Sequence, residues 1–595
     1  MRQLWRTIGA VLALLCALLV AGPPATAAAG SGNLIVDGDG EAGYCTSDWG
    51  SATTMPGWTV QSGSPGVDCS SASFTYPAGM VPGTGFFAPG NQGDGSMTQR
   101  VDVSSAATTI DAGSATYNLS GWEGGWTTYA GYVQVSLTFD NATGQPVGST
   151  ATLPTVSASD RGLKTTFLNR TATGAVPTGT RSIQVQVQFL NSASEAGYLD
   201  DLSLTLNTPV TAATLVPPVS KVPGYDHVFT VMMENTDYAE VMNDPTDTPY
   251  IHSLMGKGAS LSNYHGVYHP SDENYLAVAG GDTYANGAIY WPNISDPGQN
   301  LGDTVEAKGK TWKAYEQGMG APCNLTTAND AKYEPDDAPF INYSDISGNL
   351  TRCKAHLFDT TQLTTDLASA ATTPNFSWIA ADDYYDGEAS GNGNATSLKT
   401  QDGWLQQTLA PIMTSPAWTT QKSLIILTWD ESSGEADNHV ATIVLGSQGT
   451  VPAGTVSSSR YDHYSTGRTI EAALGLPGIT ANDTYATPLN DAFSPVAAPV
   501  STLTTGTPKV TNGASVTFQY STPAATAGAK NWIGIYPVGV TPGSQSSITW
   551  QYAPGTAGSL TFNTSSLKGV GTYAVWYLYN DGYTALAGPT TLTVS

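Results

Sequence analysis

Two continuous apolar runs, each ending abruptly on acidic or amide residues, limit what this chain can fold into. Val228-Phe229-Thr230-Val231-Met232-Met233 stops on Glu234-Asn235, and Leu424-Ile425-Ile426-Leu427-Thr428-Trp429 stops on Asp430-Glu431. Neither run alternates, which is the pattern of strands buried on both faces of a parallel sheet. Val440 to Leu445 and Asn375 to Ala380 read the same way, with helical-period segments (Ile251 to Gly258, Asp402 to Met413, Arg468 to Leu474) between such runs. Strands alternating with helices predict an α/β domain with a mostly parallel sheet over 225–493. Ligands of such sheets bind beyond the carboxyl ends of the strands, so both polar clusters are expected in one site.

A third polar cluster lies between them. The stretch from His269 to Gly281, HPSDENYLAVAGG, carries a hydroxyl, an imidazole, two carboxylates and an amide ahead of a short apolar helix start. Glu234, Asn235, Asp430 and Glu431 supply oxygen ligands for a divalent metal ion, and His439 or His463 adds nitrogen. A serine hydroxyl is a poor nucleophile until a metal or base lowers its pKa, which makes Ser271 the expected nucleophile. Asn274, at the start of the helix, is placed to give its amide to a phosphate oxygen beside the helix N-terminus. The bland alternative makes Ser271 a helix N-cap and each acidic pair a turn.

The flanks read differently. Residues 30–207 are all-β, with clean alternation over Tyr132 to Phe139 and Ser182 to Phe189, which suggests a sandwich or jelly roll. Trp122 and Trp126 there either stack on a sugar or pack the core. A Pro-containing spacer follows at 208–224, another at 494–500, and 501–595 returns to β character as an Ig-like sandwich. Residues 1–29 have the charged, apolar, small-residue order of a secretory signal peptide, so the mature chain is expected outside the cell. Removing it leaves Cys45, Cys69, Cys323 and Cys353. Three disulfide connectivities are open, of which the local one, Cys45 with Cys69 and Cys323 with Cys353, fits the domain boundaries. With 48 acidic against 22 basic residues the formal charge is -26. This argues against nucleic-acid binding, which needs Lys and Arg. No later stretch is apolar enough for an integral membrane segment.

The ordered motifs resemble a known family. Asp226 to Asn235, Thr248 to Leu254, His269 to Gly280, Thr428 to Glu431, Asn438 to Ile443 and Tyr461 to Glu471 are similar to the secreted acid phosphatase and phospholipase C phosphoesterases of the alkaline-phosphatase-like superfamily. The resemblance implies Ser271 as the phosphorylated nucleophile, and Glu234, Asn235, Ser271, Asp430 and Glu431 as metal ligands. It implies Asn274 as a phosphate-binding residue, and His439 and His463 as catalytic or metal-binding histidines. His269 reads only as a loop residue shaping the turn.

Two positions depart from the family: Glu273 stands where proline is usual, and Glu388 where a histidine follows an Asp-Gly pair. Both put substrate preference in doubt, and Glu273 is expected to be where the substrate changes. The segments Asn33 to Glu41 and Tyr198 to Leu204 resemble the first and last strands of galactose-binding-like jelly rolls, which implies a structural calcium with Glu41 and Asp201 as oxygen ligands. Asn531 to Tyr536 and Tyr577 to Gly582 resemble a small sandwich module appended to secreted phosphoesterases. The expected activity is hydrolysis of phosphate monoesters. The alternatives are a phospholipase C or other phosphodiesterase acting on phospholipid, and a catalytically weak protein that binds cell-wall polysaccharide through its β domains.

Overall fold

The unbroken apolar runs form the centre of one large sheet. In the computed structural model, which describes residues 30–46, 52–90, 93–192, 196–284, 292, 295, 296, 298–326, 333–388, 395–434, 437–493, 501–522 and 526–595, these runs are fully buried strands. The expected signal peptide and the spacer at 494–500 lie outside the described residues. Of the middle domain's strands, β1 is His227–Met233, β2 Ala259–His265, β3 Trp312–Glu316, β4 Leu357–Asp359, β5 Phe376–Ala380, β6 Ser423–Trp429, β7 His439–Gly446, β8 Thr455–Ser457 and β9 Tyr461–Asp462. They form a nine-stranded sheet in the order β4-β3-β5-β1-β6-β7-β2-β8, with β9 also on β2. The helices that matter for the site are α1 (Asp272–Gly280), α2 (Asp383–Asp386), α3 (Ala395–Thr414) and α4 (His463–Leu474).

From β4 across to β6 every pairing is parallel. The run at Val440 to Leu445, expected to be another parallel strand, is instead antiparallel to β6, and β2 is antiparallel to it in turn. The reason is connection length. Only 430–438 separates β6 from β7, shorter than the crossover of about a dozen residues that parallel neighbours require.

Residues 59–206 contain two five-stranded antiparallel sheets around a shared core of Val133, Val135, Leu137, Ile183, Val185 and Leu204, among others. The segment expected to be a first strand, Asn33 to Glu41, runs beside Tyr198–Leu206 without forming a regular ladder. Leu34 N donates to Leu204 O (2.8 Å) and Leu202 N to Gly38 O (2.7 Å), while a left-handed turn at Asp37 (φ 49°) breaks the extended run. Trp122 and Trp126 are partly buried against Phe74, Phe86, Phe167 and Tyr198.

This β region is not a free-standing bead on its spacer. Ala52 N donates to Val267 O (3.0 Å), Tyr464 OH to Ala52 O (3.1 Å), and Arg460 Nη2 to Gly63 O (2.6 Å), which ties it to the loop ahead of α1 and to the start of α4. Cys45 is joined to Cys69 and Cys323 to Cys353.

The chain divides into two compact units, Met1–Pro495 and Val496–Ser595. The second consists of a three-stranded and a five-stranded sheet around Val516, Phe518, Ile533, Ile535, Val575 and Tyr577. Its Trp532, Tyr536 and Tyr577 are buried, whereas Trp550, Tyr552 and Tyr583 are about half exposed. Among the described residues no helix is long and apolar enough to cross a membrane.

Glu123, on the strand Thr116–Gly125, is 1% exposed. Burial pushes its carboxyl from 4.5 to about 8, against the attraction of Arg170. A buried acid with a raised pKa holds its proton longer folded than unfolded, so stability falls as pH rises between those two values. We predict that Glu123→Gln removes this fall. The variant should match the wild type near pH 4.5 and exceed it near pH 8.5 by on the order of a few kcal/mol, read by thermal unfolding.

Candidate active site

The site is assembled by strand register. Parallel pairing places Met233 of β1 opposite Trp429 of β6, so the residues just beyond, Glu234-Asn235 and Asp430-Glu431, emerge side by side. Backbone bonds lock them together: Asp430 N donates to Met233 O (2.8 Å), and Thr236 N donates to Glu431 O (3.2 Å). Asn235 takes a left-handed conformation (φ 42°), and its N donates to Asp430 Oδ1 (3.0 Å). The amide of its side chain donates to Glu234 Oε2 (2.9 Å) and to Glu388 Oε2. Glu388 arrives over Glu234 through Gly387, whose φ of 131° and whose missing Cβ, which would stand 2.3 Å from Glu234 O, admit only glycine.

Ser271 comes from the other side, immediately ahead of α1. Its hydroxyl does not cap the helix. It donates instead to Glu234 Oε2 (3.0 Å) and points at Glu431 Oε1 (3.5 Å). Tyr275, one turn along α1, donates its hydroxyl to Glu234 Oε1 and fixes the second oxygen of that carboxylate. The loop ahead of the helix crosses tightly over β6. A Cβ on Gly266 would lie 2.4 Å from Asn438 Nδ2 and 2.7 Å from Asp430 O, so glycine is required there.

Glu234, Asp430 and Glu431 have no Lys or Arg partner among the described residues. Burial, then the charge of Asp430, pushes the Glu234 carboxyl well above the usual range. Burial, then the charge of Glu431, does the same to Asp430. Asp430 Oδ2 is buried with no hydrogen-bond partner. Converging carboxylates, an amide and a hydroxyl with an orphaned buried oxygen fit a hard divalent cation.

The histidines are not where the motifs suggest. His463 is fully buried in α4, with Nδ1 held by Tyr264 OH (2.9 Å) and Nε2 by Asp430 O (2.6 Å). Burial lowers its pKa to about 4. It props the backbone under Asp430, and neither nitrogen is free for a leaving group. His439 stacks on Tyr238 (4.0 Å between centroids) and on His265 (5.1 Å), with Nε2 at Ser262 O (3.2 Å). Among the described residues no contact links it to Ser271 or the carboxylates.

The imidazole that does reach the cluster is His269, expected only to shape a turn. Its Nδ1 lies 2.6 Å from Glu431 Oε2, and its side chain stays 29% exposed. Its position two residues before Ser271 is the one signal the sequence offers.

Two further expectations change. Asn274 is fully buried, with Oδ1 accepting from Val267 N (2.8 Å) and Tyr268 N (3.2 Å) and Nδ2 donating to Tyr268 O (2.9 Å) and Pro270 O (3.2 Å). Its polar atoms are spent on shaping the 267–270 loop rather than on a ligand. Glu273 on α1 is fully buried, whereas Glu388 reaches the rim through its contact with Asn235.

In the N-terminal region, Glu41 accepts from Thr84 N (2.7 Å), Gly85 N (3.1 Å) and Thr84 Oγ1 (2.7 Å). Asp201 sits in a left-handed kink (φ 49°) next to Asp200. Two buried oxygens there have no hydrogen-bond partner, Asp37 Oδ2 and Asp200 Oδ2.

Residues 232–477 match the model of the phosphoesterase family. This part of the chain resembles a phosphoesterase-family domain. The domain resembles a probable acid phosphatase of Kluyveromyces lactis, 27% identical over 47% of this chain and 65% of that protein. It also resembles a phosphatidylinositol-3-phosphatase of Mycobacterium tuberculosis, 26% identical over 46% of this chain and 84% of that protein. The chain thus spans just under two thirds of the Kluyveromyces protein. A solved structure of a protein in the alkaline phosphatase superfamily from Vibrio parahaemolyticus aligns at 9% identity with a TM-score of 0.35, covering 64% of this chain and 85% of that one.

Because Asn274 holds the loop, Asn274→Ala should destabilise the protein by about 2–3 kcal/mol through unsatisfied loop groups. Thermal unfolding checks this; unchanged stability with a raised KM would restore the ligand role.

Proposed function

We propose that the chain is a secreted, metal-dependent phosphatase of acid phosphatase type that hydrolyses phosphate monoesters through a phosphoserine on Ser271. The observation that carries this reading is the direction of the Ser271 hydroxyl. It leaves the helix end uncapped and donates into Glu234, beside Glu431. A structural serine at a helix start would cap it.

Glu234, Asp430 and Glu431 with the Asn235 amide oxygen and Ser271 Oγ would hold the divalent ion. When bound, that ion supplies positive charge for the phosphoryl oxygens and lowers the pKa of the serine. The need for it comes from the charge of the site, where Glu388 joins three carboxylates. An anionic ester approaching these groups alone is repelled.

Glu234 Oε2 accepts the Ser271 hydroxyl hydrogen and orients Oγ, while Tyr275 keeps Glu234 in place. Ser271 Oγ attacks phosphorus as its hydroxyl proton passes to Glu234 Oε2 and the bond to the leaving alcohol breaks. His269, oriented by Glu431, gives that alcohol oxygen its proton. Water then attacks the phosphoserine as His269 takes the water's proton; the Oγ–P bond breaks, Ser271 Oγ regains its proton from Glu234, and inorganic phosphate leaves.

The rest of the chain enters the same reading. The N-terminal sheets form a jelly roll in which Asp37 and Asp200, with Glu41 and Asp201, would hold a calcium ion. The β regions attach the enzyme to polysaccharide, with the half-exposed rings of Trp550, Tyr552 and Tyr583 offering stacking faces.

Ser271→Ala should lower turnover of p-nitrophenyl phosphate by about 10³-fold or more, and exhaustive chelation should abolish it reversibly. His269→Ala should separate leaving groups: alkyl phosphates, which need the proton, should fall by about 10²–10⁴-fold, and p-nitrophenyl phosphate far less. Faster release from bis-p-nitrophenyl phosphate than from the monoester would identify a diesterase instead.

A further inference from the structure

The motif that begins at Asn438 has a part in the site that its histidine does not. His439 stacks on Tyr238 and His265, but the residue before it reaches the frame around the carboxylates. Asn438 stands immediately ahead of β7, is 1% exposed, and takes a left-handed conformation (φ 50°). Its Oδ1 accepts from Ser432 N (2.8 Å), and its Nδ2 donates to Tyr268 O (2.8 Å). Its own backbone carbonyl accepts from Gly266 N (2.9 Å). Ser432 directly follows Glu431, and Tyr268 directly precedes His269. One side chain therefore holds the chain neighbours of both members of the His269–Glu431 pair, whose Nδ1 and Oε2 lie 2.6 Å apart.

The position calls for this residue type. A left-handed backbone is tolerated best by glycine, asparagine and aspartate. The two side-chain contacts run in opposite directions, since Ser432 N is a donor and Tyr268 O an acceptor. An amide meets both from adjacent atoms, whereas a carboxylate can only accept. Gly266, with no Cβ to displace Nδ2, leaves room for the amide. Ser271 is held by other contacts: Asn274 N donates to Ser271 O (2.8 Å), Asn274 Nδ2 to Pro270 O (3.2 Å), and the hydroxyl of Ser271 to Glu234. Asn274 Nδ2 also reaches Tyr268 O (2.9 Å), so that carbonyl is gripped from α1 and from the start of β7 at once. Of the two amides, Asn438 is the one that ties it to the segment carrying Glu431.

We propose that Asn438 is the positioning residue for the His269–Glu431 pair, holding the imidazole where it can pass a proton to the leaving oxygen. It touches no substrate. The inference rests on the reading of Ser271 as nucleophile and His269 as acid. Proton transfer needs heavy atoms within about 2.6–3.2 Å of each other. A misplacement of about 1 Å can therefore cost on the order of 10²-fold in rate. Esters differ in how much they need that proton, because an alkoxide leaves poorly and p-nitrophenolate leaves without help. Loss of the Asn438 contacts should be felt most by esters of basic alcohols. A displaced Ser271 would instead slow every ester alike.

The test follows phosphoserine on the Ser271 peptide of the full chain through the first turnover, by acid quench and mass spectrometry. The esters are ethyl phosphate and p-nitrophenyl phosphate, and the ratio of their two rates is the readout. Asn438→Asp keeps the acceptor and suits the left-handed backbone, but sets two oxygens face to face at Tyr268. It should lower the ethyl to p-nitrophenyl ratio by about 10–100-fold. Asn438→Gly keeps the backbone and removes both side-chain bonds; it should lower the ratio too, and it carries the reading should Asn438→Asp fail to fold. In a His269→Ala background neither substitution should move the ratio by more than about twofold, because the proton is already lost. Equal slowing of both esters in the Asn438 variants would overturn the proposal. So would failure of both variants to fold, which would make Asn438 a structural residue. A lowered ratio in His269→Ala with a wild-type ratio in both Asn438 variants would overturn this inference alone. A wild-type ratio in His269→Ala, or no phosphoserine from either ester, would overturn the reading beneath it and this inference together.

Discussion

The pairing of β1 with β6, Met232 opposite Thr428 and Met233 opposite Trp429, is the constraint on which the rest of the middle domain depends. In-register parallel strands end at the same level, so the residues after them emerge next to each other whatever their charge. Here those residues are Glu234 and Asp430, both buried. The packing energy of two fully buried apolar strands forces together carboxylates that repel each other. Burying a full core strand contributes several kcal/mol of apolar transfer, enough to hold a cluster that would otherwise move apart. The repulsion is then available to whatever cation or proton relieves it. Ser271, Tyr275 and Asn235 arrange themselves around that excess of negative charge by donating into it.

Much of this is legible in the sequence because its causes are local. An apolar run without alternation dictates a strand buried on both faces, and the acidic residue that ends it marks the strand's carboxyl end. Ser271 is legible from its place before a helix start. Sequence alone does not rank which histidine meets the cluster. His269, His439 and His463 all occur in motif-like settings, and the choice rests on tertiary contacts: Tyr264 and Asp430 O take both nitrogens of His463, while Tyr238 and His265 hold the ring of His439. Asn274 misleads for the same reason. An amide at a helix start suits a phosphate, but here the preceding loop folds back and satisfies all of it. The direction of β7, by contrast, is within reach of the sequence, since the short 430–438 connection already requires a hairpin.

A second carboxylate group has no local signature at all. Asp383 and Asp386 follow one strand and Asp337 lies in a turn well before it, yet one carboxylate oxygen of each lies within 4.8 Å of the others. Only the order β3-β5-β1 makes them neighbours. Seen across that edge, the carboxyl ends of β3, β5, β1 and β6 carry a continuous row of acids, with Glu388 bridging to Asn235 at the rim. The departure from the family's pattern at Glu388 therefore belongs to a region that is already acidic, while Glu273 is buried.

The central claim is that Ser271 becomes covalently phosphorylated. Its most direct test is to mix the enzyme with a phosphate monoester, quench in acid during turnover, and map phosphate by peptide mass spectrometry. The account predicts one phosphate on the peptide containing Ser271, lost on longer incubation as the substrate is consumed and absent from Ser271→Ala. Phosphate on another residue, or steady turnover by the Ser271→Ala variant, would contradict it.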